Sequence, residues 1–198
     1  HLHCDHIGGF FMLMQGFWLD QRTLPLTVHM PEEGLEPVRR MLDASYIFEE
    51  LMPSDLNFTA LTVGESFEVS GIRVTPHPTS HLDQLKEHFA KKYPAKYEAF
   101  SFLLESNETR LAHSADIGAL ADLEPILTQP VDLLVCELAH VEPKELFTYL
   151  AGKEIGQVAF MHLSRQYRDK FDELKSQANS ILGNLPHTFL NDGDLIEV

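Results

Sequence analysis

The spacing of apolar positions changes several times along the chain, and each change marks an element. Residues 10–21 are apolar on nearly every side, which predicts a well-buried helix. HLHCDHIGG at residues 1–9 is polar and ends in two glycines, so it reads as a loop leading into that helix. LPLTVHM (24–30) predicts a short buried strand. Residues 31–48 open with Pro31, Glu32 and Glu33 and continue with apolar Leu35, Val38, Met41 and Leu42, the pattern of a helix start and its inner face.

From Phe58 the period becomes two. Residues 58–63, 66–69 and 72–75 predict short strands, broken at Gly64-Glu65 and Ser70-Gly71. Residues 82–96 read as a helical insert carrying Lys86, Lys91, Lys92 and Lys96. Strands resume at 99–104 and 110–114, across a turn at Ser106-Asn107. Residues 119–127 predict a helix, and 132–137 and 157–161 two buried strands that each end at a polar residue. A helix over 167–182 buries Phe171, Leu174, Ala178 and Ile181, and a strand at 195–198 closes the chain. With no repeat, low-complexity tract or linker, residues 1–198 read as one folded unit of layered α/β class, sheets covered by helices.

Composition narrows the function. Fifteen Lys+Arg against 30 Asp+Glu give a net charge of -15, which argues against broad, non-specific nucleic-acid binding. Cys4 and Cys136 cannot build a disulfide framework, so a reducing, cytoplasmic compartment is expected. No apolar run reaches the ~18 residues of a membrane span, and nothing resembles a signal peptide.

The candidate chemistry lies at the start. His1, His3, Asp5 and His6 gather three imidazoles and one carboxylate in six residues, the ligand types of zinc and related metals. His1 and His3 alternate and can point to one side, while Asp5 and His6 can address a second metal. Gly8-Gly9 would let the backbone turn sharply and the next helix pack close. A His tag would lack the Asp and the Gly pair. Further candidates follow predicted strands: His81 in TPHPTSH, Asp116 in HSADIG and His162 in FMHLS. Each alone has a plainer reading, as a cap, a surface His or a core His. Together they supply seven ligands, enough for two metals that share one carboxylate.

HLHCDHIGG resembles the HxHxDH signature of the metallo-β-lactamase superfamily, and His81, Asp116 and His162 follow in the order and approximate spacing of its remaining ligands. Within it the likeness is to ribonuclease Z-like phosphodiesterases. LPLTVHMPEEG follows the first helix, HSADI stands at a YSGDT-like segment, CELAH at a Glu-containing strand end, MHLSRQY is similar to THFSxRY, and NDGDLIEV to a last strand. The resemblance implies a four-layer αββα sandwich, one domain over 1–198 with 82–96 inserted, and a dinuclear hydrolase. It implies His1, His3 and His81 on one metal, Asp5, His6 and His162 on the second, and Asp116 bridging both. Two Zn2+ are implied, with Mn2+ or Fe2+ as substitutes. Two such ions about 3.5–4 Å apart share a water whose pKa falls to roughly 7, giving a bridging hydroxide. Asp5 would orient that nucleophile and take its proton, while an acid protonates the leaving group.

For that acid His140 is the first candidate, with Glu137 orienting it, and an ordinary loop His is the alternative. His77 is an alternative to His81 as ligand, and His113 is expected to stand behind the ligands. His29, His88, His187 and Cys4 carry no pattern of their own. The His-Ser-Thr segment of the ribonuclease Z-like branch is not visible in VEPKELFTYLAGKEIGQ, and the helical 82–96 stands where that branch inserts its Gly/Pro-rich tRNA arm. Residues 86–96 carry four Lys against one Glu, which suits a lid over an anion but better suits a solvated helix. A small-molecule ester or phosphodiester is therefore the expected substrate, and nucleic acid is not favoured. The alternatives are a carbonyl hydrolase (lactonase, thioesterase or β-lactamase-like) and, from another class, a non-catalytic metal-binding or interaction module. The family's strands before HxHxDH are absent from this sequence, so an N-terminally truncated sandwich is expected. Its open edge would favour pairing with another chain, as in a homodimer.

Overall fold

The computed structural model describes residues 1–198, apart from the side chain of Arg168. The chain divides into two compact units, one of His1–Thr62 and Leu85–Ala99, the other of Val63–Gln84 and Phe100–Val198.

The first unit contains α1 (Cys4–Leu19), β1 (Leu26–Met30), α2 (Leu35–Ala44) and β2 (Leu56–Ala60). β1 and β2 pair in parallel, Leu26 opposite Leu56 and Met30 opposite Ala60. Parallel strands cannot be joined by a tight turn, and α2 makes the crossover. Two expectations are corrected here. Residues 1–9 are not a loop: α1 begins at Cys4, where the His3 carbonyl accepts the N–H groups of His6 (2.9 Å) and Ile7 (3.1 Å). Gly8 and Gly9 therefore lie inside a helix, and a Cβ at either would meet nothing within 4 Å among the described residues. Nor is α1 buried all round. Met14 is enclosed, while Met12, Leu13 and Leu19 are 70%, 50% and 64% exposed. The unit's core of Met14, Leu42, Ile47 and Leu56, with Phe10, Phe11 and Phe17 against it, covers one stripe of the helix.

The helix expected over 82–96 is shorter, α3 (Asp83–Phe89). Pro94 disfavours helical backbone in the residue before it, and turns at Lys92 and Tyr93 follow instead. Glu33 then anchors the chain's return, its carboxylate accepting the backbone N–H groups of Lys96 (2.6 Å), Tyr97 (3.1 Å) and Glu98 (3.0 Å).

The second unit holds a seven-stranded sheet in chain order: β3 (Phe67–Val69), β4 (Ile72–Pro78), β5 (Phe100–Glu105), β6 (Arg110–His113), β7 (Val131–Leu138), β8 (Ile155–Leu163) and β9 (His187–Phe189). β3 to β6 are antiparallel, and β6 to β9 are parallel. Parallel strands carry helical crossovers: α4 (Pro143–Leu150) joins β7 to β8, and α5 (Phe171–Leu182) joins β8 to β9. Leu146, Phe147 and Leu150 of α4 and Leu174, Ala178 and Leu182 of α5 pack with Leu134, Val158 and Phe160 in one apolar core.

α4 falls in a stretch to which the sequence pattern assigned no element. The helix expected over 119–127 is two 3-10 turns, Leu120–Leu123 and Pro125–Leu127, because Pro125 has no N–H with which to continue an α-helix. No strand forms at 195–198 and Leu195 is 95% exposed; β9 ends the sheet, and the Asn191–Asp194 turn carries the chain off its edge. No helix among the described residues is long and apolar enough to cross a membrane.

Candidate metal centre

β4 and β6 both run antiparallel to β5, and β6, β7 and β8 are parallel, so the C-terminal ends of β4, β6, β7 and β8 share one side of the sheet. That side is where sites gather in α/β folds. His81 follows β4, Asp116 follows β6, Glu137 and His140 stand at the end of β7, and His162 near the end of β8.

Asp116 is the centre of this cluster and is only 3% exposed. Its Oδ2 lies 3.7 Å from His81 Nε2 and 3.9 Å from His140 Nδ1, and its Oδ1 lies 3.0 Å from His162 Nδ1. The rings of His81 and His140 meet edge to face at 4.5 Å. His81, Asp116 and His140 each offer a ligand atom within 4.8 Å of the others, and so do Glu137, His140 and His162. Imidazole nitrogens around a buried carboxylate are a donor set that suits a borderline divalent cation. A cation would also compensate the desolvation of that carboxylate.

The loops behind these side chains are closely bonded. Thr79 donates its hydroxyl to the Asp116 carbonyl at 2.8 Å, and the Ile117 N–H points to Glu137 Oε1 at 3.3 Å. Ala115 takes a left-handed φ of 46°, and its N–H donates to His113 Nδ1 at 2.9 Å, so His113 supports the Asp116 loop from behind. Ser114 Oγ accepts the Glu137 N–H at 3.0 Å and donates to the Ala115 carbonyl at 2.8 Å. Glu137, 2% exposed, also accepts the N–H groups of Ala139 and His140.

His162 has its own backbone device. Glu137 pairs with Met161 but Leu138 pairs with Leu163, so His162 is the extra residue of a bulge in β8, at a φ of 50°. Bulges beside functional sites re-aim a side chain, and the left-handed position normally belongs to glycine. A cleft of about 660 Å³, lined by Leu138, Phe160, Phe171 and Phe189 and also by Asn191 and Asp192, opens next to this ring.

In the other unit, His1 and His3 precede α1, and Asp5 and His6 occupy its first turn. The His1 ring lies 4.6 Å from that of His3 and 4.0 Å from that of His6. Leu2 rests on Gly34, where a Cβ would come within 2.9 Å of it.

Each unit thus gathers its own share of the sequence candidates. His77 stays within β4 opposite Ser101, with burial lowering its pKa, and takes no part in the His81–Asp116 cluster. His187 bonds to Leu185 and Asn179, and His29 lies in β1. Thr79, Ser80, Ser114 and Asp122 were not singled out from the sequence. Only Asp122 leaves a signal there, an acidic residue at the start of a helical turn.

A family profile described as beta-lactamase superfamily domain matches residues 1–167. Among solved structures, the metallo-beta-lactamase fold protein YhfI from Bacillus subtilis is 16% identical with a TM-score of 0.72, covering 98% of this chain and 73% of that one. Unliganded yeast PDE1 is 14% identical with a TM-score of 0.68, covering 98% and 65%. A diphosphatase from the PhnP family is 16% identical with a TM-score of 0.64, covering 100% and 69%. At these identities the likeness is one of fold. No curated protein matches the chain.

Proposed function

Since the chain belongs to the beta-lactamase superfamily, we propose that it is a metal-dependent hydrolase acting on a phosphodiester or another small ester. The observation that carries this reading is the convergence of three imidazoles on the buried carboxylate of Asp116. The choice of a phosphorus ester is supported by the ribonuclease Z-like motifs and by the diphosphatase among the fold neighbours. The cleft beside His162 leaves room for an organic substituent. A net charge of -15 weighs against tRNA as the substrate.

By resemblance of the motifs, His1, His3 and His81 would hold one zinc ion and Asp5, His6 and His162 a second, with Asp116 shared. When bound, the ions polarise the scissile ester and bring the pKa of a water toward neutrality. Asp5 orients the attacking water and takes its proton. His140 protonates the leaving group. His140 Nδ1 lies 3.2 Å from Glu137 Oε1 and can keep its hydrogen on that oxygen, so a doubly protonated ring would give the leaving group its Nε2 proton and return to the neutral Nδ1–H form. The His140 side chain is 33% exposed, which gives it access to solvent for reprotonation.

A second reading makes His140 itself a ligand, because its ring nitrogen falls in both three-residue groups of this unit. The test of the main reading is elemental analysis with parallel assays of bis-p-nitrophenyl phosphate, a nitrophenyl ester, a lactone and nitrocefin. Two zinc ions per chain and turnover of the phosphodiester are expected. Turnover of the lactone or nitrocefin alone would make it a carbonyl hydrolase.

A further inference from the structure

We propose that Asp122 is a positioning residue, holding the His81 loop and the Asp116 loop at the separation a shared cation requires; this rests on the metal-centre reading above. A single oxygen, Asp122 Oδ2, accepts four hydrogen bonds. They come from the Ser80 N–H (3.0 Å), the Ser80 hydroxyl (2.9 Å), the Gly118 N–H (2.8 Å) and the Ala119 N–H (3.2 Å). Capping the Leu120–Leu123 turn would need only Gly118 and Ala119. The two bonds to Ser80 cross from one loop to the other and add nothing to that cap.

Ser80 immediately precedes His81, and Gly118 lies two residues past Asp116. The seam continues on both sides of Asp122. Thr79 donates to the Asp116 carbonyl, and a Cβ on Gly118 would sit 2.5 Å from the Ser80 carbonyl oxygen, so only glycine lets the loops approach this closely. The His81 Nε2 to Asp116 Oδ2 separation of 3.7 Å is therefore set by contacts that lie beside the ligand atoms and not between them. Groups that orient ligands in this way typically contribute 10–100-fold to metal affinity.

The test is a zinc competition titration against a chromophoric chelator on the full chain, with melting of the metal-free proteins alongside. Asp122→Ala and Gly118→Ala are expected to weaken zinc binding about 10–100-fold. Asp122→Asn, which keeps an acceptor oxygen, should lose less than about tenfold. Asp132→Ala is the control: it removes the 2.7 Å bond to the Arg110 N–H at the far end of β7 and should leave zinc affinity unchanged. Wild-type affinity in Asp122→Ala overturns the inference, as does an equal loss in Asp132→Ala at matched melting temperature. If Asp122→Ala does not fold, Gly118→Ala and Asp122→Asn decide by the same criteria. A wild-type chain that takes up no zinc overturns the metal reading itself, a result separate from the variants.

Discussion

Glu137 and His140 are joined twice: Oε1 lies 3.2 Å from the ring Nδ1, and Oε2 accepts the His140 backbone N–H at 3.1 Å. A buried carboxylate thus fixes both the turn that carries the imidazole and the direction of the ring. The arrangement suits a proton donor whose tautomer must be set.

Glu137→Gln keeps the shape of that carboxylate and removes its charge. For substrates with poor leaving groups kcat/KM should fall about 10²-fold, with a smaller loss for nitrophenyl leaving groups, which need little protonation. A leaving-group series with elemental analysis checks this, zinc content staying as in the wild type. His140→Gln should show the same pattern, and loss of zinc from that variant would make His140 a ligand.

Asp116→Ala should abolish hydrolysis and lower zinc content, since it removes a carboxylate that His81, His140 and His162 all face. Zinc per chain and turnover of the best substrate measure it. Retained activity would end the case for a shared ligand.

At residue 162 glycine and alanine variants separate backbone strain from ligation. Both lose the imidazole and should bind zinc weakly. A Cβ at a φ of 50° is strained, so metal-free His162→Gly should be more stable than His162→Ala by roughly 1 kcal/mol. Chemical denaturation of the two measures the difference, and equal stabilities would count against strain in the bulge.

Cys136 is fully buried, and its thiol is pushed up to about 12, first by burial and then by the charge of Glu137, partly opposed by the neighbouring Ser114 side chain. Native protein at neutral pH should therefore react with a thiol reagent at exposed Cys4 and not at Cys136. An unfolded thiol titrates near its ordinary 9.0, so this contribution to stability is full below that pH and is lost as pH rises toward 12. Labelling followed by peptide mapping, and melting across that range, read the two consequences.

His81, Asp116 and His162 stand out in the sequence because each follows a run that reads as a strand, whereas His1, His3, Asp5 and His6 stand out by their close spacing. α4 was missed although Pro143 opens it and Leu146, Phe147 and Leu150 are fully enclosed. Eight residues give too few turns for a helical period to stand out. The helical start of α1 was hidden by Gly8-Gly9, which read as a loop when considered locally. Asp122 and Ser80 lie 42 positions apart and make no pattern at all. The bulge at His162 follows from strand register, which a single strand's sequence does not carry.

Leu2 lies between His1 and His3 and packs on Gly34. The consequence is entropic. Fixing the backbone of a free segment costs about 1–2 kcal/mol per residue, and coordination by a loose segment would have to supply that as the cation arrived. Here the apolar side chain on the even position already lies against Gly34, so under the proposed assignment the two imidazoles on the odd positions would need less ordering on meeting a cation.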